Sequence, residues 1–382
     1  MDVPFVYDRY VTGKYFVGHR SECNILSNLL RQGENVVIYE PPKSGKMSVV
    51  QQTLFQMRVS GDRFDVFGVD LFNVRSSMEF LLKFGNSVIR AFASSPDEYQ
   101  MIIEKHLSAT CFRFDVEHFA SSDKVLASTG GTLSIEDLSA ILALPGNLAS
   151  EKGRKAIMIV EEFQNIMDTA EYYEIFKAFE AVMSAGKESH RCSFVLVGSS
   201  VNAMKYIFEE RKWFHRLVEH LPLFPVDEKE IVDHLVKGYL LEGKVLEKND
   251  AAGACRIFKY NLWYVNHFAA ICNSLSRGYI NQGIILEALN ALISIHTPKF
   301  RSIVNGLTEH QMSFLRAALD GVVRFSATDV VEKYGLNSSA NVKRVKDALK
   351  KKEVITFNEK DEPVFLDPLF EYWLDKHYLE RV

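Results

Sequence analysis

Val36-Val37-Ile38-Tyr39-Glu40-Pro41-Pro42-Lys43-Ser44-Gly45-Lys46-Met47-Ser48 reads in unbroken order as a buried strand, a tight loop and the first turn of a helix. The loop fits the phosphate-binding pattern G-x-x-x-x-G-K-[ST], in which backbone N–H groups and the Lys hold phosphates and the following hydroxyl reaches Mg²⁺. Gly45 and Lys46 satisfy it, whereas Glu40 stands where the first glycine belongs and Met47 where the hydroxyl belongs. A thioether is no ligand for a hard cation. Ser48 lies one residue late, about 100° further around the helix. The residues therefore favour phosphate binding over hydrolysis. A strand-turn-helix corner with no ligand is the competing reading.

The context outward from the loop supports the first reading. Apolar runs at Asn35–Tyr39, Phe64–Asp70, Lys155–Val160 and Ser193–Gly198 alternate with helical patterns at Gly45–Val59, Ser76–Ala93, Asn165–Ala185 and Val201–Glu209. That alternation predicts a parallel sheet with helices on both faces and right-handed connections. The region between Ser94 and Gly153 is longer than a crossover needs, and Ser134-Ile135-Glu136-Asp137 predicts a capped helix inside it.

Two further strand ends carry chemistry. Ala156-Ile157-Met158-Ile159-Val160 delivers Glu161 and Glu162, of which the first could organise Mg²⁺ and the second orient water. Glu161 stands where an Asp is usual, and its extra methylene displaces the carboxylate. Phe194-Val195-Leu196-Val197-Gly198 delivers Ser199 and Ser200, either as sensors of the terminal phosphate or as caps of the next helix. Beyond them Arg211 and Arg216 are candidate charge stabilisers, with ordinary surface arginines as the alternative.

The rest of the chain is helical. Glu228–Glu242, Asp250–Phe258, Trp263–Ser276 and Gln282–Ile295 have apolar residues at helical spacing. Thr308-Glu309-His310-Gln311, Ser326-Ala327-Thr328-Asp329 and Ser338 or Ser339 can then cap three helices, and Val354–Phe357 and Pro363–Leu366 flank a polar turn as a hairpin. Three helices and a hairpin make a winged helix. Its third helix carries Lys343, Arg344, Lys346, Lys350, Lys351 and Lys352, a candidate DNA face, although the acidic wing suits protein docking equally.

The expected organisation is an α/β phosphate-loop core over residues 1–226, a helical lid over 227–300 and a winged helix over 301–382. The 382 residues carry a net charge of −4, so a nucleic-acid surface would be local rather than global. No apolar run of about 18 residues is present to cross a bilayer. Met1-Asp2-Val3-Pro4 lacks the form of an export signal, and five scattered cysteines without a C-x-x-C pair suit reduced thiols in a cytoplasm.

With these motifs placed, the chain resembles the archaeal-type ATPases of the AAA+ and STAND group. Phe16-Val17-Gly18-His19-Arg20-Ser21-Glu22 is similar to the family's F-x-G-R-x-x-E lead-in, with His19 interposed. Glu161-Glu162-Phe163-Gln164 matches its D-E-F-Q, and Asp367-Pro368-Leu369-Phe370-Glu371-Tyr372-Trp373 its closing D-P-x-x-x-x-W. The resemblance implies ATP or ADP held by Pro41, Pro42, Lys43, Ser44, Gly45, Lys46, Met47 and Ser48. It further implies Mg²⁺ at Glu161, catalytic roles for Glu162, Ser199 and Arg216, and a protein partner or a homo-oligomer. The expected function is an ATP-binding switch with weak or absent hydrolysis. The alternative is a DNA-binding or docking adaptor whose core is a scaffold.

Overall fold

The structure, a computed structural model, describes residues 4–122, 124–186 and 191–380. Met1-Asp2-Val3, on which the expectation of no export signal partly rests, lies outside them. Five parallel strands form the central sheet: Val36–Tyr39 (β1), Phe64–Asp70 (β2), Lys155–Glu161 (β3), Cys192–Gly198 (β4) and Glu219–His220 (β5). Their spatial order is β5–β1–β4–β3–β2. β4 thus runs between the strand that leads into the loop and the strand that ends in acids. Val36 pairs with Val195 and Tyr39 with Gly198, while Phe64 through Asp70 pair with Lys155 through Glu161. All four residues of β1 and the middle five of β3 are buried, as continuous apolar strands covered on both faces must be. The expected strands are all present, with ends shifted by one residue at most.

The chain divides into two compact units. One comprises Arg20–Glu40 and Thr53–Leu223 and contains the sheet. Its helix Ile135–Glu151 opens with the expected capping box, in which the Asp137 amide donates to Ser134 Oγ at 3.1 Å and the Ser134 amide to Asp137 Oδ2 at 2.8 Å. The long connection also holds a small antiparallel hairpin, Phe112–Phe114 with Leu126–Ser128, which the sequence pattern did not announce. Two helices differ from expectation. The one expected over Asn165–Ala185 starts as a 3₁₀ turn at Phe163–Asp168, entered from Glu162 at a left-handed φ of 53°, and becomes regular only at Tyr172–Gly186. The one expected over Val201–Glu209 is α-helical to Lys205 and closes in a π turn over Tyr206–Glu210.

The other unit gathers Met1–His19, Pro41–Gln52 and Phe224–Val382. The phosphate loop and the first turns of the following helix, Lys46–Val59 (α1), belong to it through Gln52. Its core is built by Glu228–Leu241, Lys248–Ile257, Leu262–Leu275 (α2) and Gln282–Asn305 (α3). α3 runs ten residues beyond the expected Ile295, since Phe300 and Val304 carry its buried face onward. Glu309–Leu319, Thr328–Tyr334 and Ser339–Lys351 (α4) follow, then the antiparallel wing Ile355–Phe357 with Pro363–Phe365, and Pro368–Trp373 (α5). The expected winged helix is present. Trp373 packs on Phe300 with ring centroids 5.5 Å apart, which joins α5 to α3. Gly18 of the lead-in has φ 71°, and a Cβ there would meet the Val226 methyls at 2.6 Å, so only glycine fits.

Candidate functional site

The loop acquires its shape from Gly45, whose φ of 91° is open to glycine and strained for other residues. Lys46 opens α1 with its side chain buried, and its ammonium donates to the Pro41 carbonyl at 2.9 Å, with Ser44 Oγ at 3.5 Å. The lysine thus lies back over its own loop, next to the amides of a helix start, where partial positive charge collects. Met47 directs no oxygen at this point. Ser48 Oγ accepts the Val11 amide at 3.1 Å, so its oxygen is engaged by the N-terminal segment. Phosphate fits these residues; magnesium finds no hydroxyl ligand at position 47.

Lys43 does something the sequence did not signal. It holds a left-handed φ of 68°, and its ammonium sits 3.5 Å from the Trp263 ring centroid and 5.3 Å from that of Tyr264, both at the start of α2. The Tyr264 hydroxyl donates to Asp367 Oδ1 at 2.8 Å and Lys299 to Asp367 Oδ2 at 2.9 Å. Asp367 also caps α5 by accepting the Leu369 and Phe370 amides. The Asp that opens the D-P-x-x-x-x-W segment is therefore the hub of this cluster. Burial, and then the charge of Lys299, push the Lys43 ammonium down to about 8, against the opposing pull of Asp367. His296 is pushed down to about 4 by burial and then by Lys43, and His267 is lowered for the same two reasons. His296 Nε2 and His267 Nδ1 are buried with no hydrogen-bond partner among the described residues. A cation over an aromatic face is worth about 0.5–2 kcal/mol, more as water is excluded.

In the sheet-bearing unit, Ser199 Oγ donates to Glu162 Oε2 at 2.6 Å, and Gln164 Nε2 donates to the same oxygen at 2.6 Å. The parallel order explains the meeting, because β4 adjoins β3 and its end lies beside that strand's end. Ser200, not Ser199, occupies the N-cap of Val201–Lys205, and its side chain makes no capping bond. Glu161 is half-buried at the end of β3, and its carbonyl accepts the Leu71 amide at 3.0 Å. At the end of β1 the Tyr39 hydroxyl donates to Glu209 Oε1 at 2.6 Å, and its ring stacks on His220 at 4.3 Å. Burial, with the Glu209 carboxylate, raises the Tyr39 phenol, so it stays a donor. Glu40 Oε1 accepts the Leu223 amide at 3.3 Å.

The expected arginines follow the π turn. Arg211 donates to the Tyr206 hydroxyl at 2.6 Å, while Arg216 is exposed with a left-handed φ of 60°. Lys212 and Phe214 share that conformation, so three of five consecutive residues are strained. On the winged helix, Lys346 pairs with Asp361 of the wing at 2.5 Å and Lys352 donates to Gln311 Oε1 at 2.9 Å. Lys343 and Arg344 remain on the exposed face of α4. Among the described residues, no cluster of three or more His, Cys, Asp or Glu side chains suits a metal, and no helix is long and apolar enough to cross a membrane. All five cysteines are free thiols.

Comparison with known proteins agrees with this architecture. Residues 298–376 match the family described as a probable winged helix domain. No curated protein matches the chain. Among solved structures, the chain is similar to a Walker-type ATPase of Pyrococcus abyssi, with 14% identity, a TM-score of 0.66, and 96% of this chain and 98% of that one covered. It is also similar to the ADP form of the ORC2 protein of Aeropyrum pernix, with 12% identity, a TM-score of 0.54, and 92% and 90% coverage. The chain shares its fold with that Walker-type ATPase, and in this chain the fold comprises a parallel-sheet phosphate-loop core, a helical segment and a C-terminal winged helix.

Proposed function

We propose that this protein is an ATP-binding switch of the AAA+/STAND kind, cytoplasmic, with weak or absent hydrolysis. The observation that carries the reading is Lys46. It is a buried ammonium folded 2.9 Å onto the Pro41 carbonyl of its own loop, with left-handed Gly45 before it and a helix start around it. In this reading the β- and γ-phosphates replace that carbonyl as the partner of Lys46. Pro41 to Ser48 supply the cradle, and Glu162 with Ser199 responds to the terminal phosphate. Arg216 stands as the charge stabiliser. The weak point is the metal. Met47 supplies no oxygen, Ser48 already accepts an amide, and Glu161 is the one remaining acid in the expected position, so no chemical step is assigned to Mg²⁺.

Titration calorimetry tests the reading: ATP and ADP bind the wild type, and Lys46→Ala abolishes the heat. Unchanged affinity in the variant contradicts it. A second reading, a DNA-binding or docking adaptor, rests on the exposure of Lys343 and Arg344 along α4. It requires that reversing both charges removes a salt-dependent DNA affinity.

A further inference from the structure

Phosphate binding does not require Lys43 to leave the loop for an aromatic face, yet the loop spends a strained residue on that contact. A left-handed lysine is unfavourable by itself, and it persists only where surrounding groups hold it. Here the holders are Trp263 and Tyr264, which α2 presents together directly after its Asn261 cap. The cage is tied onward through Tyr264 and Lys299 to Asp367, and through Asp367 to the first turn of α5. The arrangement is also an imperfect home for a cation. Lys299 repels it, the ammonium is desolvated, and the two neighbouring imidazoles leave buried nitrogens unpartnered.

We propose that Lys43 and Trp263 form a latch on the phosphate loop, closed while the loop is without nucleotide and opened when phosphates draw the Lys43 ammonium off the indole. This rests on the loop being the nucleotide site. Its consequence is that occupancy of the loop is reported directly to α2 and, by way of Asp367, to the winged helix segment. Because the closed latch competes with phosphate, it lowers nucleotide affinity. Release frees the Trp263 and Tyr264 rings of the cation, while Asp367 keeps its cap on α5.

A double-mutant cycle on the full chain, read by calorimetry with ATP, isolates the latch. Trp263→Leu keeps Lys43 but removes its cage, and it is expected to tighten ATP binding about three- to tenfold. In a Lys43→Met background the same Trp263→Leu change is expected to alter affinity by less than about 1.5-fold, because no cation is left to hold. Should Trp263→Leu fail to fold, Trp263→Phe takes its place, with an expected gain of about twofold from the weaker ring. Binding by all four proteins with an equal Trp263 effect in both backgrounds, or with none, overturns the latch alone. Absence of heat from all four overturns the nucleotide site and the latch with it.

Discussion

Ser199 Oγ and Glu162 Oε2 are 2.6 Å apart; the two residues, 37 apart in sequence, each directly follow one of two strands adjacent in the sheet. The hydroxyl donates and the carboxylate accepts, so the serine fixes the carboxylate's orientation. Gln164 holds the same oxygen, which leaves Glu162 Oε1 as the freer acceptor. If this pair reads the terminal phosphate, Ser199→Ala leaves ATP affinity within about twofold while lowering residual turnover about tenfold. Phosphate release assayed beside calorimetry separates the two. A matched loss of affinity would make the pair a structural clasp instead.

Magnesium is the second point of departure. Met47→Thr places a hydroxyl at the first turn of α1, where the pattern requires one. Magnesium-dependent turnover is expected to rise at least about tenfold, with little change in metal-free nucleotide affinity. No increase would locate the defect in Glu161, whose longer side chain displaces the carboxylate.

Asp367 concentrates more bonds than its exposure suggests. It caps α5 through two amides, accepts the Tyr264 hydroxyl and pairs with Lys299. Asp367→Ala removes all of these at once, and the buried Tyr264 hydroxyl loses its partner. The expected cost is about 2–4 kcal/mol in urea unfolding. Asp367→Asn, which keeps an acceptor for the cap, is expected to lose about half as much.

Acid should weaken the fold through the histidines. His296 has a folded value of about 4 against an ordinary 6.5, so between those pH values the unfolded chain binds a proton that the folded chain refuses. Stability is therefore fully present above about pH 6.5 and falls as pH drops toward 4. The slope approaches one proton, about 1.4 kcal/mol per pH unit. His267, His220 and His234 are shifted the same way, so His296→Leu removes only part of the slope. Chemical denaturation at pH 5 and pH 7 measures it; identical slopes in wild type and variant would show that His296 titrates normally.

The strands and most caps were legible in sequence because they are local, although the cap expected at Ser326-Ala327-Thr328-Asp329 fails: Ala327 takes the N-cap of Thr328–Tyr334 with no side-chain bond. β1 to β4 announce themselves as apolar runs, and Ser134, Thr308 and Ser338 as caps, each of which accepts a backbone amide three residues on. The phosphate loop, the paired acids and the serines after β4 were legible for the same reason; the alternating pattern predicted parallel strands but not the order in which Ser199 meets Glu162. Three features were not. The left-handed Glu162 at the end of β3 has no local signature, and the hairpin at Phe112–Phe114 is too short to show a period. The seating of Lys43 on Trp263 joins residues with no shared local pattern. A lysine in a loop and a Trp-Tyr pair opening a helix each look ordinary until the fold brings them together.

The most direct measurement is a crystal structure of the full chain with ATP and Mg²⁺. Nucleotide is expected in the loop, with phosphate oxygens on the amides of Ser44 to Met47 and Lys46 turned from the Pro41 carbonyl onto phosphate. At saturating ATP, a loop without nucleotide and with Lys46 still on Pro41 would contradict that expectation.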